Sequence, residues 1–396
     1  MAAIRDKDVE LKSNCLEEKS VLFGICGGIA ATESVKIARE LRRHGAKLTV
    51  MMTESAQKII SPLAIEWASD TKVKTNWDSE MSQLDDFDSV LIAPATRNFL
   101  ANLQHGVMSS PLLMALSAAR GRGVPIVLVP SMHSDLFDDP ITSKLENELI
   151  SGGCDFIWGL HEEGKKKQRN PISLVAEFSH IVNERFHNPK NIVVTLGSTK
   201  SKIDDVRFVQ NTSSGKTGWG IACDLYRRGH DITVVSGVTT APPEFRLPLV
   251  IYSPEPEEML LELIALSKCD IDVWIHCAAV LDYIPLKKHA GKIPSGDEKI
   301  TVEFGKTMKH IDELIELTKG SVRIGFKLET RSSYEELIRK SKEQLNRSKM
   351  SAVIANNLEG LKQNSVRGYL VEPNEKITQL STSKELEAVI RKLIED

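Results

Sequence analysis

The sequence predicts an α/β protein built from two tandem, three-layer Rossmann-like domains. Short apolar runs alternate with amphipathic helical stretches, which is typical of parallel sheets covered by helices. Residues 41–45 and 225–230 have similar sequences, each beginning with leucine and containing a glycine, and they occupy equivalent places. The second half therefore repeats the strand–helix pattern of the first. With 396 residues the chain exceeds what one hydrophobic core usually serves, and two domains are expected.

The first half opens with a charged tail, residues 1–19, that we expect to be loosely packed. An apolar run, a Gly-Gly turn and an amphipathic helix then predict the first strand–helix unit of an open sheet. Residues 161–171 lack apolar side chains and are predicted to form a loop. The predicted strands are 21–26, 47–52, 88–93, 125–129 and 155–158, and the predicted helices are 29–43, 97–103, 110–119 and 172–186.

The second half has the same alternation of strands and helices. Residues 287–299 show no apolar periodicity and predict a long polar loop, which in a compact domain is often functional. Residues 369–371 and 377–380 are expected to pair as β-strands. The other predicted strands are 191–195, 231–236, 273–278, 322–326 and 352–355, and the predicted helices are 218–228, 257–267, 311–318, 334–345 and 383–394.

Composition excludes several classes of protein. The net charge of −3 lacks the basic signature of nucleic-acid binding. No apolar run approaches the roughly 20 residues of a membrane span. The six cysteines are scattered without a CxxC pair, which argues for reduced thiols in the cytoplasm and against structural zinc or disulfides.

The stretch 203–218 is predicted to contain a short extended run at 206–209, after which it passes through polar residues and glycine into a helix. A helix N-terminus offers backbone N–H groups and positive potential, so a phosphate or carboxylate site is predicted. The stretch resembles the end of a Walker A loop, but Gln210 stands where its first glycine belongs. A serine N-cap beside a solvated lysine explains the residues equally well. The candidate anion-binding residues are Ser213, Ser214, Gly215 and Lys216.

Glycines, small hydroxyl residues and prolines follow the predicted strands of the first half. Ligands of open α/β sheets bind at this carboxyl edge. The turn sequence GGIA is not the GxGxxG fingerprint, which favours a mononucleotide over a dinucleotide, although close packing explains the glycines about as well. The candidate cofactor-binding residues are Gly27, Gly28, Ile29, Ala30, Thr53, Ser55, Pro94, Ala95 and Thr96.

In the second half, Asp282 follows a predicted strand and is a candidate oxygen ligand for Mg²⁺. Lys292, in the polar loop, is a candidate for neutralising phosphate charge during a transfer reaction. A simple strand end and a solvated surface lysine remain the alternatives for these two residues.

These motifs together resemble the bifunctional phosphopantothenoylcysteine decarboxylase / phosphopantothenate–cysteine ligase family of coenzyme A biosynthesis. The resemblance covers roughly residues 20–394 in the family's domain order. It implies a flavodoxin-like, flavin-binding domain at 20–188 and a nucleotide-binding ligase domain at 189–396. The matching segments are 27–31, 93–98, 130–132, 204–218, 278–283, 292–293, 325–330 and 354–356.

For the second half, the resemblance implies that 4′-phosphopantothenate attacks the α-phosphate of CTP, or of ATP, with Mg²⁺ present. Cysteine then displaces the nucleotide from the acyl intermediate. Asn211 matches the asparagine that binds the intermediate, and Lys292 matches a mobile-loop lysine. The positions expected at the nucleotide, in addition to the candidate anion-binding residues, are Ala279, Asp282, Phe326 and Lys327.

For the first half, the resemblance implies FMN, with Asn98 joining the cofactor-binding residues, and oxidative decarboxylation of the ligation product. The sequence departs from the family here. The family's catalytic histidine falls at Glu80, and the charged loop replaces a cysteine-containing flap. His133, which stands in the substrate-clamping motif, is the candidate replacement for proton transfer.

Two alternatives stay open at this point: a ligase whose flavin half is an inactive scaffold, and a non-enzymatic regulatory flavoprotein. The resemblance also implies a homo-oligomer that is dimeric through the ligase half and trimeric through the flavin half, up to a dodecamer.

Overall fold

The computed structural model describes residues 6–395 apart from 80, 160, 163, 164, 167, 187, 295, 297, 298, 364 and 365. The chain divides into two compact units. One comprises the residues up to 187 with Arg227–Gly229, and the other comprises 188–226 and 230–396. No described helix combines the length and apolar character needed to cross a membrane.

The first unit is built on a parallel sheet of six strands. Its described strands are β1 (Ser20–Ile25), β2 (Lys47–Met52), β3 (Val73–Lys74), β4 (Ser89–Ala95), β5 (Ile126–Pro130), β6 (Met132–His133), β7 (Cys154–Phe156), β8 (His161–Glu162) and β9 (Lys165–Lys166). The sheet order is β3-β2-β1-β4-β5-β7. The strand order reverses between β1 and β4, and at such a switch point the carboxyl ends of the strands leave room for a ligand.

Helices cover both faces of this sheet. They are α1 (Ser34–Arg43), α2 (Glu54–Gln57), α3 (Pro62–Ser69), α4 (Arg97–Gln104), α5 (Pro111–Gly121), α6 (Ser134–Phe137), α7 (Pro140–Ser151) and α8 (Pro171–Phe186). Successive side chains of a strand point to opposite faces. Phe23 of β1 therefore packs in a cluster with α1, α3 and α8, while Leu22 packs in a second cluster with α4, α5 and α7. Each large apolar side chain so buried contributes roughly 1.5–3 kcal/mol.

The second unit contains an eight-stranded sheet. Its described strands are β10 (Asn191–Leu196), β11 (Lys200–Lys202), β12 (Phe208–Gln210), β13 (Asp231–Ser236), β14 (Leu249–Tyr252), β15 (Val273–His276), β16 (Tyr283–Pro285), β17 (Phe304–Lys306), β18 (Val322–Glu329), β19 (Ala352–Asn357), β20 (Gly368–Val371) and β21 (Ile377–Leu380). The order is β14-β13-β10-β15-β18-β19-β20-β21, with the last two strands antiparallel. The order again reverses, here between β10 and β15.

The helices of the second unit are α9 (Lys216–Arg227), α10 (Pro256–Leu266), α11 (His310–Glu313), α12 (Tyr334–Arg347), α13 (Leu358–Gln363) and α14 (Ser383–Glu395). Two small antiparallel ribbons, β11–β12 and β16–β17, lie outside the main sheet. The apolar side chains of α10 pack against Val193, Val235 and Trp274.

The predicted fold class is confirmed, and most predicted strands and helices are present with shifted ends. The prediction of a loosely packed tail is wrong for its last part, because Cys15 and Leu16 are buried in the first core. The backbone N–H of Leu16 also donates to the carbonyl of His44 at 2.9 Å. Two neighbouring apolar residues, Cys15 and Leu16, attach the tail to the core. Two residues are too few to produce a periodic apolar pattern in the sequence.

Three further predictions need correction. The charged loop 161–171 contains β8 and β9, which pair antiparallel with each other, and β9 also pairs with β6. The predicted helix at 311–318 is the single turn of α11, and the extended run predicted at 206–209 lies later, as β12. Elements that the sequence did not predict include α2, α3, α6, α7, β3 and β14. The strands among them are short edge strands, and α3 and α7 begin with proline after a short polar cap.

Candidate functional site

A cavity of about 640 Å³ lies at the carboxyl ends of the central strands of the second unit. Its lining comes from the loop before α9, the segments after β15 and β16–β17, and the end of β18. Most of the residues predicted for the second half meet here: Asn211, Ser213, Ser214, Gly215, Lys216, Ala279, Asp282, Phe326 and Lys327.

The loop before α9 is shaped by glycine. Gly215 has φ +77°, and a Cβ there would lie 2.7 Å from Cγ2 of Thr239. Another residue would therefore be both strained and crowded. Lys216 is the first residue of α9, and its N–H donates to Oγ of Ser214 at 3.3 Å. The start of the helix thus faces the cavity with amides, hydroxyls and a cation, which suits an anion.

Asn211 lines the same cavity. Its Nδ2 donates to the carbonyl oxygens of Ala279 at 3.3 Å and Val280 at 3.0 Å. Asn211 directly follows β12, so these bonds tie the β11–β12 ribbon to the segment after β15. The amide oxygen has no protein donor among the described hydrogen bonds and can accept one from a ligand.

Charged side chains also line the cavity. Asp282 is exposed, and its Oδ1 lies 3.9 Å from Nζ of Lys309. Lys327 pairs with Glu329 at 2.9 Å. Within the described residues, no three His, Cys, Asp or Glu side chains are grouped to hold a metal. Asp282 could serve Mg²⁺ only as one ligand beside phosphate and water oxygens, a common arrangement for this ion.

Lys292 stands apart from the other predicted residues. It is exposed and does not line the cavity. The structure therefore does not bring it together with Asn211.

In the first unit, the predicted cofactor residues gather at the ends of β1, β2 and β4. A Cβ on Gly27 would lie 2.2 Å from Oγ of Ser55, so this glycine is required by packing. A Cβ on Gly28 would meet only Thr96 Cγ2 at 3.6 Å and Pro94 Cγ at 3.8 Å, which is ordinary contact. A methyl group therefore fits at Gly28, and the space beside Gly28, Thr96 and Pro94 is called the Gly28 cradle below.

Hydroxyl groups border this cradle. Thr53 and Thr96 cap α2 and α4, and Oγ1 of Thr53 lies 3.1 Å from Oγ of Ser55. Ala30 is half-buried, and Ile29 and Asn98 are exposed and accessible to a ligand. Ala95 is packed in the core, so its side chain cannot contact a cofactor and only its backbone could.

His133 lies at the end of β6 and caps α6. Its side chain is 53% exposed, and its Nδ1 accepts the N–H of Asp135 at 3.3 Å. The same Nδ1 also lies 3.2 Å from Oδ2 of Asp135. Glu80, at the family's histidine position, lies outside the described residues.

The sequence of this chain matches the models of two protein families. Residues 187–395 match the DNA/pantothenate metabolism flavoprotein C-terminal domain, and residues 10–196 match the Flavoprotein family. The coenzyme A biosynthesis bifunctional protein CoaBC of Thermococcus kodakarensis is 34% identical over 90% of each chain. The chain belongs to this bifunctional family. The Methanocaldococcus jannaschii member is 30% identical over 88% of this chain and 85% of its own.

Among solved structures, the C-terminal domain of a coenzyme A biosynthesis bifunctional protein is 27% identical, with a TM-score of 0.44. It covers 52% of this chain and 94% of its own.

Several cavity residues of this family member were not predicted from its sequence. Arg367 donates to Oγ1 of Thr217 at 2.6 Å, and burial lowers the pKa of its guanidinium. His276 and His310 line the deeper part. Burial lowers the pKa of His276 to about 3, helped by Arg323 and His310, and burial lowers the pKa of His310 to about 4. For these three residues, the only signal in the sequence was His276, which ends the apolar strand V-W-I-H.

Proposed function

We propose that this chain catalyses two consecutive steps of coenzyme A biosynthesis. The second unit joins 4′-phosphopantothenate to cysteine, and the first unit decarboxylates the product to 4′-phosphopantetheine. The observation that carries the proposal is the cavity of the second unit. It gathers an amide, a cation and a helix N-terminus at one sheet edge, in a chain related to bifunctional enzymes along nine-tenths of its length.

In the ligase step, a carboxylate oxygen of 4′-phosphopantothenate attacks the α-phosphorus of CTP or ATP, and pyrophosphate leaves. The amine of cysteine then attacks the acyl carbon, an amide forms, and the nucleoside monophosphate leaves with the bonding electrons. The amine proton passes to solvent. No redox change occurs in either half-reaction.

The cavity residues divide between binding and charge stabilisation. The amides at the start of α9, with Ser213, Ser214 and Lys216, would bind phosphate oxygens. Asn211 would orient the acyl intermediate, and Lys292 would offset the charge that develops as pyrophosphate leaves. Ala279, Phe326 and Lys327 would border the nucleotide, and Asp282 would share Mg²⁺ with its phosphates.

The first unit would hold FMN in the Gly28 cradle, with Gly27, Thr53, Ser55, Thr96 and Asn98 around it. Bound flavin supplies the oxidising and reducing equivalents for decarboxylation. The residues of the chain bind and orient this cofactor. We assign His133 the proton transfer, because its imidazole is 53% exposed at the end of β6 and imidazole is the usual proton-transfer group near neutral pH.

The domain assignment that follows is 20–188 for the FMN-binding domain and 189–396 for the ligase domain. We also propose a homo-oligomer, dimeric through the ligase half and trimeric through the flavin half, up to a dodecamer. A cytoplasmic location stays a prediction from the scattered cysteines.

The test is a coupled assay with 4′-phosphopantothenate, cysteine, Mg²⁺ and either CTP or ATP. Pyrophosphate and carbon dioxide are followed together after the visible spectrum is recorded. A flavin spectrum with both products supports the proposal. Pyrophosphate alone would leave a ligase with an inactive first unit, and neither product would favour a regulatory protein.

The Lys292→Gln variant sharpens this test. Loss of one group that stabilises transition-state charge costs on the order of 100-fold in kcat, so pyrophosphate release should fall by about that factor. Lys287→Gln is the matched control, because it removes an exposed lysine from the same loop. Equal rates for the two variants would remove Lys292 from the mechanism.

A further inference from the structure

The segment around Lys292 is attached to the tip of the β11–β12 ribbon. The N–H of His289 donates to the carbonyl of Ile203 at 2.9 Å, and the side chain of Arg207 donates to the carbonyl of Ile293 at 3.3 Å. The loop that carries Lys292 is therefore anchored on one turn, residues 203–207.

Two aspartates of this turn bracket Lys292. Oδ2 of Asp205 accepts the N–H of Gly291 at 2.9 Å, and Oδ2 of Asp204 accepts the N–H of Ile293 at 3.1 Å. The peptide groups on both sides of Lys292 are thus held by carboxylates. Its own side chain forms no ion pair among the described residues, so it can move while its backbone is held.

The Asp204 carboxylate is a permanent part of the turn. It is buried and also accepts the N–H groups of Val206 at 2.8 Å and Arg207 at 2.6 Å. Burial alone would raise the pKa of Asp204, but these backbone hydrogen bonds and that from Ile293 outweigh it and lower the pKa to about 2. Asp204 therefore remains a charged acceptor at physiological pH.

The Asp205 carboxylate is different, because it is exposed. Its bond to Gly291 competes with water and can open at little cost. Gly291 has φ +76°, and a Cβ added to it would meet nothing within 4 Å. The backbone conformation of Gly291, and not its packing, therefore sets the geometry of the bond.

We propose that Asp204 and Asp205 are positioning residues for Lys292 in the ligase reaction. Asp204 is the fixed anchor, and Asp205 is a second, exposed contact that keeps the backbone of Lys292 close to the ribbon while the lysine side chain moves. The same ribbon continues through β12 into Asn211, so one element places both residues. This inference rests on the role proposed for Lys292 above.

The experiment is a double-mutant cycle on the full chain, with pyrophosphate release as the readout. Asp205→Ala is expected to lower kcat by about 2- to 10-fold, the worth of one ordinary hydrogen bond. In the Lys292→Gln background the same change should have no further effect, because Asp205 acts through Lys292. Asp204→Asn tests the buried anchor in the same cycle, with a larger loss expected.

Asp231→Ala is the matched control. Asp231 is exposed and is the first residue of β13, so it lies at the amino ends of the strands, whereas the cavity lies at their carboxyl ends. Its replacement should leave kcat unchanged. Tryptic cleavage after Lys292 gives an independent readout, and it should be faster in Asp205→Ala than in the control.

Additive losses in the cycle, or an unchanged rate of both turnover and cleavage in Asp205→Ala, would overturn the inference. If Lys292→Gln alone turns over normally, the role of Lys292 itself is wrong. The single variant reports that result separately from the behaviour of the aspartates.

Discussion

The side-chain amide of Asn211 has two hydrogen-bonding roles. Its nitrogen donates to the carbonyl oxygens of Ala279 and Val280, and its oxygen is left to a ligand. A hydroxyl could not donate twice, and a carboxylate could not donate at all. The chemistry of the side chain therefore explains why an amide stands at this position.

We predict that Asn211→Asp lowers ligase kcat/KM by about 10- to 100-fold. The variant places a carboxylate oxygen against two carbonyl oxygens and removes a donor from each, although Ala279 still accepts the N–H of Thr199 at 3.1 Å, at a cost of about 1–3 kcal/mol. Pyrophosphate release at varied substrate concentration measures the loss. Thr212→Ser, at the exposed neighbouring residue, controls for general disturbance of the loop, and a normal rate for Asn211→Asp would contradict the orienting role.

At the scale of elements, the packing of α9 against β10 determines the shape of the loop before α9. A Cβ on Gly218 would lie 2.4 Å from Cβ of Leu196. A Cβ on Gly220, two residues further along the same helix, would meet only the tip of Glu387 at 3.2 Å. The two glycines therefore differ in function although both lie in one helix.

We predict that Gly218→Ala destabilises the protein by about 1–3 kcal/mol, as overpacking usually does. It should also weaken nucleotide binding, because the start of α9 must shift. Gly220→Ala should be neutral or stabilising by up to about 1 kcal/mol, since alanine favours helix. Urea unfolding compares the two, and equal midpoints would show that α9 is not seated as described.

The turn after β1 offers a second pair of glycines. We predict that Gly28→Ala leaves the unfolding midpoint unchanged but weakens flavin binding, because its methyl group fills the Gly28 cradle beside Thr96. Gly27→Ala should destabilise the first unit through its clash with Ser55. Flavin retention and thermal unfolding, measured on both variants, separate the two effects. Full flavin content in a stable Gly28→Ala protein would place the cofactor elsewhere.

The strands and the residues that follow them could be predicted because both signals are local. Apolar runs end at small or polar residues, and parallel strands bring those ends to one edge. The walls of the cavity were not predictable in the same way. Arg367 reaches Thr217 across 150 residues of sequence, and nothing near Arg367 marks it as part of a site.

The position of Lys292 shows a further limit of the sequence. Its place in a polar loop and the family resemblance selected the residue, but the residues beside it are hydrogen-bonded to a turn some 86 residues earlier, which no local pattern indicates. Likewise, Gly27 and Gly28 are identical in sequence terms, and only their neighbours in space separate the packing role of Gly27 from the Gly28 cradle.

At the scale of the whole molecule, buried histidines of the two units have pKa values shifted in opposite directions. His276 and His310 are buried with pKa values lowered to about 3 and about 4, so both stay neutral in the folded second unit. In the first unit, burial alone would lower the pKa of His44, but hydrogen bonds to Cys15 and Glu40 outweigh it and raise the pKa.

These directions fix the sign of the pH dependence. A histidine with a lowered folded pKa binds its proton mainly in the unfolded state, so stability falls as pH drops below its ordinary value near 6.5. Between pH 7 and pH 5 this removes about 2 kcal/mol for each of His276 and His310. His44, with a raised pKa, stabilises the fold below its ordinary value and loses nothing in that window.

We therefore predict that the second unit unfolds at a lower temperature at pH 5 than at pH 7, by a larger margin than the first unit. Differential scanning calorimetry of the full chain resolves the question, because the transition that shifts in His276→Asn belongs to the second unit. That variant should also lose about half of the pH dependence, since one of two buried histidines remains. His289→Asn, which removes an exposed histidine of the same unit, should keep all of it. If acid lowered the unfolding temperatures of both transitions equally, the buried histidines would not control the response. Carboxylates, which occur in both units, would control it.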